Sequence, residues 1–181
     1  RWVDELCDSL TPALNANRTI GGLGSIAASR ISREFGLGGP SYVISSEETS
    51  GLSALHAASR ALQQGRIDCA VVGAVDLAGD VRAMISLEST DGLATPSDGA
   101  VALVLKRPAD AERDDDRVYG IVRAIGSASS DATAPHSATT GVNPPDLDTS
   151  IREAIRRSSE DADITAGDIP YVEAHGSGIA G

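Results

Sequence analysis

The sequence is poor in aromatic residues, in cysteine and in long apolar runs. Of its 181 residues only 3% are aromatic, and two are cysteines, Cys7 and Cys69. Two cysteines so far apart fit neither the ligand spacing of a zinc site nor a disulfide framework. No stretch approaches the ~18 apolar residues of a membrane span, and no signal-peptide pattern opens the chain. We therefore expect a cytoplasmic protein with no metal and no membrane segment.

Positive charge is also scarce. Fifteen basic residues against 26 acidic ones give a formal net charge of -11. Nucleic acids and anionic membranes bind surfaces with a concentrated positive field, so this balance argues against both as partners. The hydrophobic content of 41% is ordinary for a globular protein, and the length suits one core-bearing domain. The expected partner is a protein or a small molecule.

Apolar periodicity predicts three helices. The first covers residues 19–35 and stops before the glycine-rich stretch GLGGP. The second begins near Thr49, where apolar residues start to recur at helical spacing. The third covers residues 145–162, with proline and aspartate at its start.

Short apolar or β-branched runs predict the strands. The run IDCAVVGAVDL is almost continuously apolar, which is typical of a strand buried on both faces, and it makes Cys69 a buried small hydrophobe. The acidic run between the third and fourth strands is interpreted as a solvated turn. Alternating strands and helices indicate a layered α/β fold. The predicted strands are 41–45, 67–77, 98–107, 117–130 and 168–178.

Four segments carry a family pattern in collinear order: 28–41, 53–75, 98–126 and 171–178. They resemble the β-ketoacyl synthases of the thiolase-like superfamily, the condensing enzymes of fatty-acid and polyketide synthesis. The resemblance implies a layered α-β-α-β-α architecture, of which residues 1–181 would be only a part. That part is a partial ketosynthase-like domain, comprising the N-terminal half and ending at the Glu-Ala-His-Gly-Ser-Gly motif.

The same resemblance implies the partners. Ketosynthases are usually dimers, and the strand that matches residues 69–75 forms part of their interface. We therefore expect a homodimer, or a heterodimer with an active ketosynthase. Substrates would arrive on the phosphopantetheine arm of an acyl carrier protein, with no further cofactor.

The resemblance places the family's nucleophile in the strand–turn–helix segment 41–56, which we call the elbow. In the family a cysteine there accepts the acyl chain as a thioester. A thiol at a helix N-terminus has a lowered pKa, and nearby N–H groups stabilise an oxyanion. When GPS is matched to residues 39–41 and the later Leu-His pair to Leu55 and His56, that cysteine falls at Glu48. The nucleophile is missing from this sequence.

The second family motif, Glu-Ala-His-Gly-Thr-Gly-Thr, matches residues 173–179. His175 corresponds to a histidine that helps to decarboxylate the malonyl extender and stabilises its enolate. Gly176, Ser177 and Gly178 fall at the substrate-binding positions of the motif, and Ser177 keeps the hydroxyl of the family's threonine. Ile179 replaces the second threonine and loses its hydroxyl.

Glu48 leaves several functions open. A domain without the condensing cysteine could serve as a chain-length-factor-like partner of an active synthase. It could instead be a malonyl-carrier decarboxylase that uses His175, because glutamine at this position accompanies decarboxylation in the superfamily. A protonated Glu48 would imitate that glutamine, whereas a charged one would repel a malonyl carboxylate. Alternatively, Glu47 and Glu48 only cap the following helix. A less favoured reading is an active synthase whose nucleophile is Cys7 or Cys69.

The remaining features carry less functional weight. His56 is interpreted as a core histidine and His136 as a solvated one. Between Asp80 and Gly99 the family has a longer gating loop than this sequence offers. Two explanations stay open: the loop is shorter in this protein, or part of it is missing from the sequence and its ends are joined.

Overall fold

The computed structural model describes Trp2, Val3, Glu5, Ser9 and residues 15–46, 49–77, 98–129 and 144–173. Residues 1–57 and 58–181 form two compact units. In chain order the helices are α1 (Ala16–Gly21), α2 (Ser25–Glu34), α3 (Ser50–Gln63), α4 (Pro108–Arg113) and α5 (Pro144–Ala162), followed by a 3-10 turn at Ala166–Asp168. The strands β1 (Cys69–Leu77) and β2 (Asp98–Lys106) lie between α3 and α4.

The helix predicted over 19–35 is two helices. Asn15 caps α1, since its side chain accepts a hydrogen bond of 2.9 Å from the Arg18 N–H. The Gly22–Leu23–Gly24 stretch then separates α1 from α2, because glycine is among the weakest helix formers. The single-helix prediction was therefore wrong, although its C-terminal end was right.

Four helices end in the same hydrogen-bonded motif. In each, one residue takes the left-handed conformation and the last carbonyls accept bonds from the two N–H groups that follow. Gly36 and Gly65 fill this position after α2 and α3, at φ 63° and 66°. Asp115 and Asp163 fill it after α4 and α5, at φ 53° and 52°. Aspartate tolerates this conformation better than most side chains, which accounts for part of the acidic run at 114–116.

β1 and β2 pair antiparallel along their whole length, from Cys69 opposite Lys106 to Leu77 opposite Asp98. Both predicted strands are therefore confirmed. The prediction that β1 is buried on both faces is wrong, because within the described ranges the sheet has only these two strands and most of β1 is exposed. Cys69 is exposed too, so its prediction as a buried residue was wrong. Val72 is the buried residue of β1, at 9% exposure.

Three other predicted strands are not found. Residues 41–45, 117–129 and 169–173 have no strand assignment, and Ser46, directly after the first of them, forms only an isolated bridge. The pattern in these segments is β-like, but a strand is defined by pairing, and no described segment pairs with them. Residues 174–178 lie outside the described residues. Conversely, the charged link after β2 contains helix α4, with proline at its first position, where its missing N–H costs nothing.

The segment 117–129 packs closely on α5. A Cβ built on Gly126 would lie 2.0 Å from the Ala154 carbonyl oxygen of α5, so only glycine fits there without movement. Two arginines fasten the segment on either side of this contact. Arg123 Nη2 donates to the Ala162 carbonyl oxygen at 2.8 Å, and Arg157 Nη1 donates to the Ser127 carbonyl oxygen at 2.8 Å. The predicted helix at 145–162 is thus confirmed and has a well-defined neighbour.

Candidate functional site

The elbow contains the candidate nucleophile position, and the structure describes the residues on both sides of it. Thr49 N–H and Thr49 Oγ1 donate to the Ser46 carbonyl oxygen at 3.0 and 2.8 Å, and Ser46 N–H donates to Ser50 Oγ at 2.9 Å. These bonds hold the two flanks together. Glu47 and Glu48 themselves lie outside the described residues, so the roles predicted for them stay predictions.

Helix α3 starts where the sequence predicted. The Thr49 carbonyl accepts the first intrahelical bond, from Ser53 N–H at 2.8 Å, and the helix is assigned from Ser50. The first N–H groups of a helix have no partners within it and form the positive end of its dipole. The helix that follows position 48 in the chain therefore has the polarity that stabilises an anion or a developing oxyanion at its N-terminus.

His56 does not lie in the core. It is exposed on α3 together with Leu52 and Arg60, which share its face at intervals of four residues. The less exposed residues of α3 lie on its other side, and Leu62 is buried at 5% exposure. The prediction of a core histidine was wrong. The helical spacing of His56 with its neighbours shows that they share a face, but not whether that face is buried.

The residues of the second motif lie outside the described residues. These are His175, Gly176, Ser177 and Gly178, and the described chain stops at Glu173. The structure therefore does not show whether the motif approaches the elbow. His136 and the segment 80–97 also lie outside the described residues.

Arg107, at the end of β2, is a residue that the sequence did not single out. Its Nη1 donates to the carbonyl oxygens of Leu62 and Ile67 at 3.0 and 2.7 Å, and its Nη2 donates to Asp68 Oδ1 at 2.6 Å. Its Nε lies 2.5 Å from Asp110 Oδ2. One guanidinium thus joins the end of α3, the turn before β1, and α4. Nothing in the local pattern signals the bonds to Leu62, Ile67 and Asp68, since these three residues lie about 40 positions away in the sequence.

Asp110 lies between Arg107 and Arg113. Its Oδ2 is buried and has no hydrogen bond of good geometry, so the charge of Arg107 Nε is what compensates it. Partial burial raises the pKa of Asp110, but the hydrogen bond from Arg113 and the ion pair with Arg107 outweigh this effect. The pKa therefore lies below its ordinary value, and Asp110 stays ionised as the partner of Arg107.

A second ion cluster closes the end of β2. Lys106 Nζ lies 2.5 Å from Asp114 Oδ2 and 2.6 Å from Asp116 Oδ2. Arg113 Nε donates to Asp114 Oδ1 at 2.8 Å. The hydrogen bonds from Arg113 and then Lys106 lower the pKa of Asp114 to about 2. The acidic run is therefore an anchor for basic side chains and not only a solvated turn.

The ion cluster predicts a change in acid stability. The pKa of Asp114 is lower in the folded than in the unfolded chain, so its ionised form favours folding. This contribution is complete above an unfolded pKa near 3.8 and is lost as the pH falls toward about 2. Asp114→Asn should therefore lower the melting temperature at pH 6 and flatten its dependence on pH between about 4 and 2.

Asp115→Asn is the matched control, because Asp115 lies between the two paired aspartates and takes no part in these ion pairs. Thermal unfolding followed by circular dichroism at several pH values measures both variants. If the melting temperatures of Asp114→Asn and Asp115→Asn fell equally between about pH 4 and pH 2, the stabilising role of the Asp114 ion pairs would be contradicted.

Other kinds of site find no support within the described ranges. No helix there combines the length and apolarity that crossing a bilayer requires. Nor do the described residues bring together three His, Cys, Asp or Glu side chains that could hold a metal ion.

Comparison with known proteins supports the family resemblance. Residues 5–128 match the family model of the Beta-ketoacyl synthase, N-terminal domain. The pikromycin polyketide synthase component PikAIII of Streptomyces venezuelae is 31% identical over 93% of this chain. Polyketide synthase PksM of Bacillus subtilis is 35% identical over 98% of it. The chain spans only 11% and 4% of these two proteins.

Solved structures show the same fold. The ketosynthase from module 6 of the bacillaene synthase of Bacillus subtilis 168 superposes with a TM-score of 0.73 at 32% identity, over 88% of this chain and 30% of that one. A type II polyketide-synthase ketosynthase in the AntDE:AntF complex superposes with a TM-score of 0.78 at 20% identity, over 92% of this chain and 44% of that one. The fold is thus that of the thiolase-like ketosynthases, and this chain covers part of it.

The chain belongs to the β-ketoacyl synthase family, and its relatives are ketosynthase domains of polyketide synthases. The sequence-based prediction of the family and of the layered α/β fold is confirmed.

Proposed function

We propose that this chain is part of a ketosynthase-like domain of polyketide or fatty-acid synthesis that does not condense. It acts as a chain-length-factor-like partner of an active ketosynthase. The observation that carries the proposal is in the sequence: the resemblance matches Glu48 to the nucleophile position, and no cysteine lies between Cys7 and Cys69. A carboxylate is a poor nucleophile toward thioesters. Glu48 therefore cannot take over the acyl chain as a cysteine thiol at this position would.

The position of Cys69 supports this proposal over an active synthase. An activated thiol needs the positive end of a helix or a neighbouring base or cation that is free to act on it. Cys69 is the first residue of β1, exposed and opposite Lys106, whose ammonium is occupied by Asp114 and Asp116. A strand in a hairpin offers no helix N-terminus. Among the described residues, Cys69 therefore has no group that would activate it as a substitute nucleophile.

An acyl carrier protein and a synthase subunit are the proposed partners. Ketosynthases exchange acyl groups with carriers, and the AntDE:AntF structure contains a ketosynthase with its acyl-carrier protein. We propose a cytoplasmic dimer, either of two copies or with an active ketosynthase. The apolar residues exposed on the hairpin, including Val71, Val75 and Val104, would be covered in the complete fold and in that dimer.

Reconstitution tests the partner role. The full-length protein that contains this chain is combined with an active ketosynthase and a loaded acyl carrier protein, and products are measured by mass spectrometry. We expect the product chain length or yield to change when the protein is added. Unchanged products together with no binding to the synthase would reject the proposal.

A malonyl-carrier decarboxylase is the second candidate, and it rests on the retention of His175 within the Glu-Ala-His-Gly-Ser-Gly motif. A neutral Glu48 could accompany decarboxylation as glutamine does in the superfamily. Release of carbon dioxide from malonyl carrier protein, lost in His175→Ala, is its signature. No release by the wild-type protein would remove this candidate and leave the partner role.

A further inference from the structure

We propose that Arg107 is a positioning residue for the β1–β2 hairpin, and that through the hairpin it controls how tightly the subunits associate. The inference rests on the proposed function, because the hairpin is the surface that the proposed dimer would cover. Arg107 and all its partners lie within residues 58–181, which form one compact unit.

One face of the hairpin is apolar and exposed. Directly opposed residues of an antiparallel pair point to the same side of the sheet, so Val71 shares a face with Val104, and Val75 shares it with Ala100. Val71, Val75 and Val104 are 50, 69 and 74% exposed. Val72 points to the other side and is buried. The side of Val72 is therefore packed within the chain, and the opposite side is available to a partner.

The strand ladder joins β1 to β2 but does not orient the hairpin against the rest of the unit. The turn 64–68 connects β1 to α3, and its own backbone bonds end with Arg66 N–H, which donates to the Ala61 carbonyl oxygen at 3.0 Å. Ile67 and Asp68, the last two residues before β1, are held by Arg107 instead. The orientation of the hairpin therefore depends on this arginine.

Arg107 holds the base of the hairpin with three different nitrogens. Nη1 donates to the carbonyl oxygens of Leu62 and Ile67, and Nη2 donates to Asp68 Oδ1. Nε faces Asp110 in the first turn of α4. A planar guanidinium presents its donors in a fixed fork, so the last turn of α3, the start of β1 and α4 are all fixed relative to the end of β2. The side chains of Arg107 and Asp110 are 29 and 13% exposed, so solvent screens their ion pair less than an exposed one.

A partner can pack closely on the apolar face only if the hairpin keeps one orientation. A hairpin that is free to pivot must be ordered when the partner binds, and this ordering lowers the affinity. Because Arg107 fixes the orientation beforehand, its loss should weaken association without breaking the pairing of the strands.

The first measurement reports the orientation of the hairpin. Spin labels are attached to Gln63→Cys and Asp76→Cys in full-length protein whose native cysteines are replaced, and an excess of unlabelled protein suppresses distances between subunits. Both positions are exposed, one at the end of α3 and the other near the far end of β1. Arg107→Gln should broaden the distribution of distances between the two labels, because the hairpin then pivots about the turn.

The second measurement is the dissociation constant of the dimer that the full-length protein forms, with itself or with an active ketosynthase, followed by sedimentation. Arg107→Gln should raise this constant by about tenfold. Arg107→Lys keeps the charge but not the fork, and it should raise the constant by about three- to fivefold.

Arg123→Gln is the matched control, because Arg123 also donates to a carbonyl oxygen at the end of a helix, that of Ala162 in α5, at 2.8 Å. It should lower stability, leave the distances between the labels unchanged and keep the dissociation constant within about twofold of the wild-type value.

Equal distance distributions, or equal dissociation constants, in Arg107→Gln and Arg123→Gln would overturn the proposal, and so would a wild-type protein that forms no dimer. If Arg107→Gln does not fold, Arg107→Lys decides, and wild-type distances or wild-type affinity in that variant would overturn it equally. The proposed function is judged separately, by the effect of the wild-type protein on product length. A dimer that depends on Arg107 in a protein with no such effect would support the positioning role and reject the partner role.

Discussion

Gly126→Ala is expected to destabilise the protein by about 3 kcal/mol and to lower its melting temperature by about 6–12 °C. The added Cβ would lie 2.0 Å from the Ala154 carbonyl oxygen and 2.9 Å from the Ser158 nitrogen. Both are backbone atoms of α5, so no side-chain rotation relieves the overlap. Either α5 or the segment 117–129 must move.

Movement there also strains the bonds on either side of Gly126. Arg123 and Arg157 tie the same two elements together through the carbonyls of Ala162 and Ser127. A shift large enough to admit a methyl group lengthens at least one of these bonds, which are charge-assisted and among the stronger kind. The cost therefore includes lost hydrogen bonds as well as overpacking.

Gly120→Ala is the matched control, because it lies in the same segment and its Cβ would meet nothing within 4 Å. Its effect should stay within about 0.5 kcal/mol. Urea unfolding followed by circular dichroism gives the free energy of unfolding for both variants. Equal stability of the two variants would contradict the close packing of Gly126 on α5.

Glu48→Cys is expected to accept one acyl group per chain, whereas the wild-type protein is expected to accept none. The change replaces a carboxylate with a thiol just before α3, whose first residue is Ser50. The helix N-terminus favours the thiolate and the oxyanion formed when it attacks a thioester. Incubation with an acyl carrier thioester, followed by intact-mass measurement, should show a single adduct.

Two further variants sharpen this prediction. Ser46→Cys introduces a thiol on the other flank of the same turn and should remain unmodified. This control separates the effect of a position next to the N-terminus of α3 from the effect of solvent exposure alone. Adding Glu47→Gln to Glu48→Cys should speed the reaction, because a neighbouring carboxylate raises the pKa of a thiol. A folded Glu48→Cys protein that reacts no faster than Ser46→Cys would mean that position 48 is not the nucleophile position.

Sequence reasoning located the family, the hairpin and the starts of α3 and α5, because these depend on local periodicity and on collinear motifs. It failed where the answer depends on what covers a surface. Cys69 and His56 sit in patterns that look buried, yet both are exposed within the described structure. An apolar pattern indicates that one face of an element is suited to burial. It does not indicate which other element packs against that face.

Long-range contacts were the other gap. Arg107 bonds to residues about 40 positions away, and Gly126 meets α5 at Ala154. Neither pairing leaves a periodic trace in the sequence. The acidic run at 114–116 did contain a signal, because the basic residues Lys106 and Arg107 immediately precede the link that contains it. Its interpretation as a solvated turn missed the ion pairs that Asp114 and Asp116 form with Lys106.

The most direct test of the central claim, a ketosynthase fold without a condensing nucleophile, is acyl transfer to the wild-type protein. The full-length protein is incubated with an acyl-carrier thioester and with a cysteine-directed condensing-enzyme inhibitor, and peptides from residues 1–181 are analysed by mass spectrometry. The account predicts no acyl or inhibitor adduct anywhere in this chain. A stoichiometric adduct on Cys7 or Cys69 would contradict it.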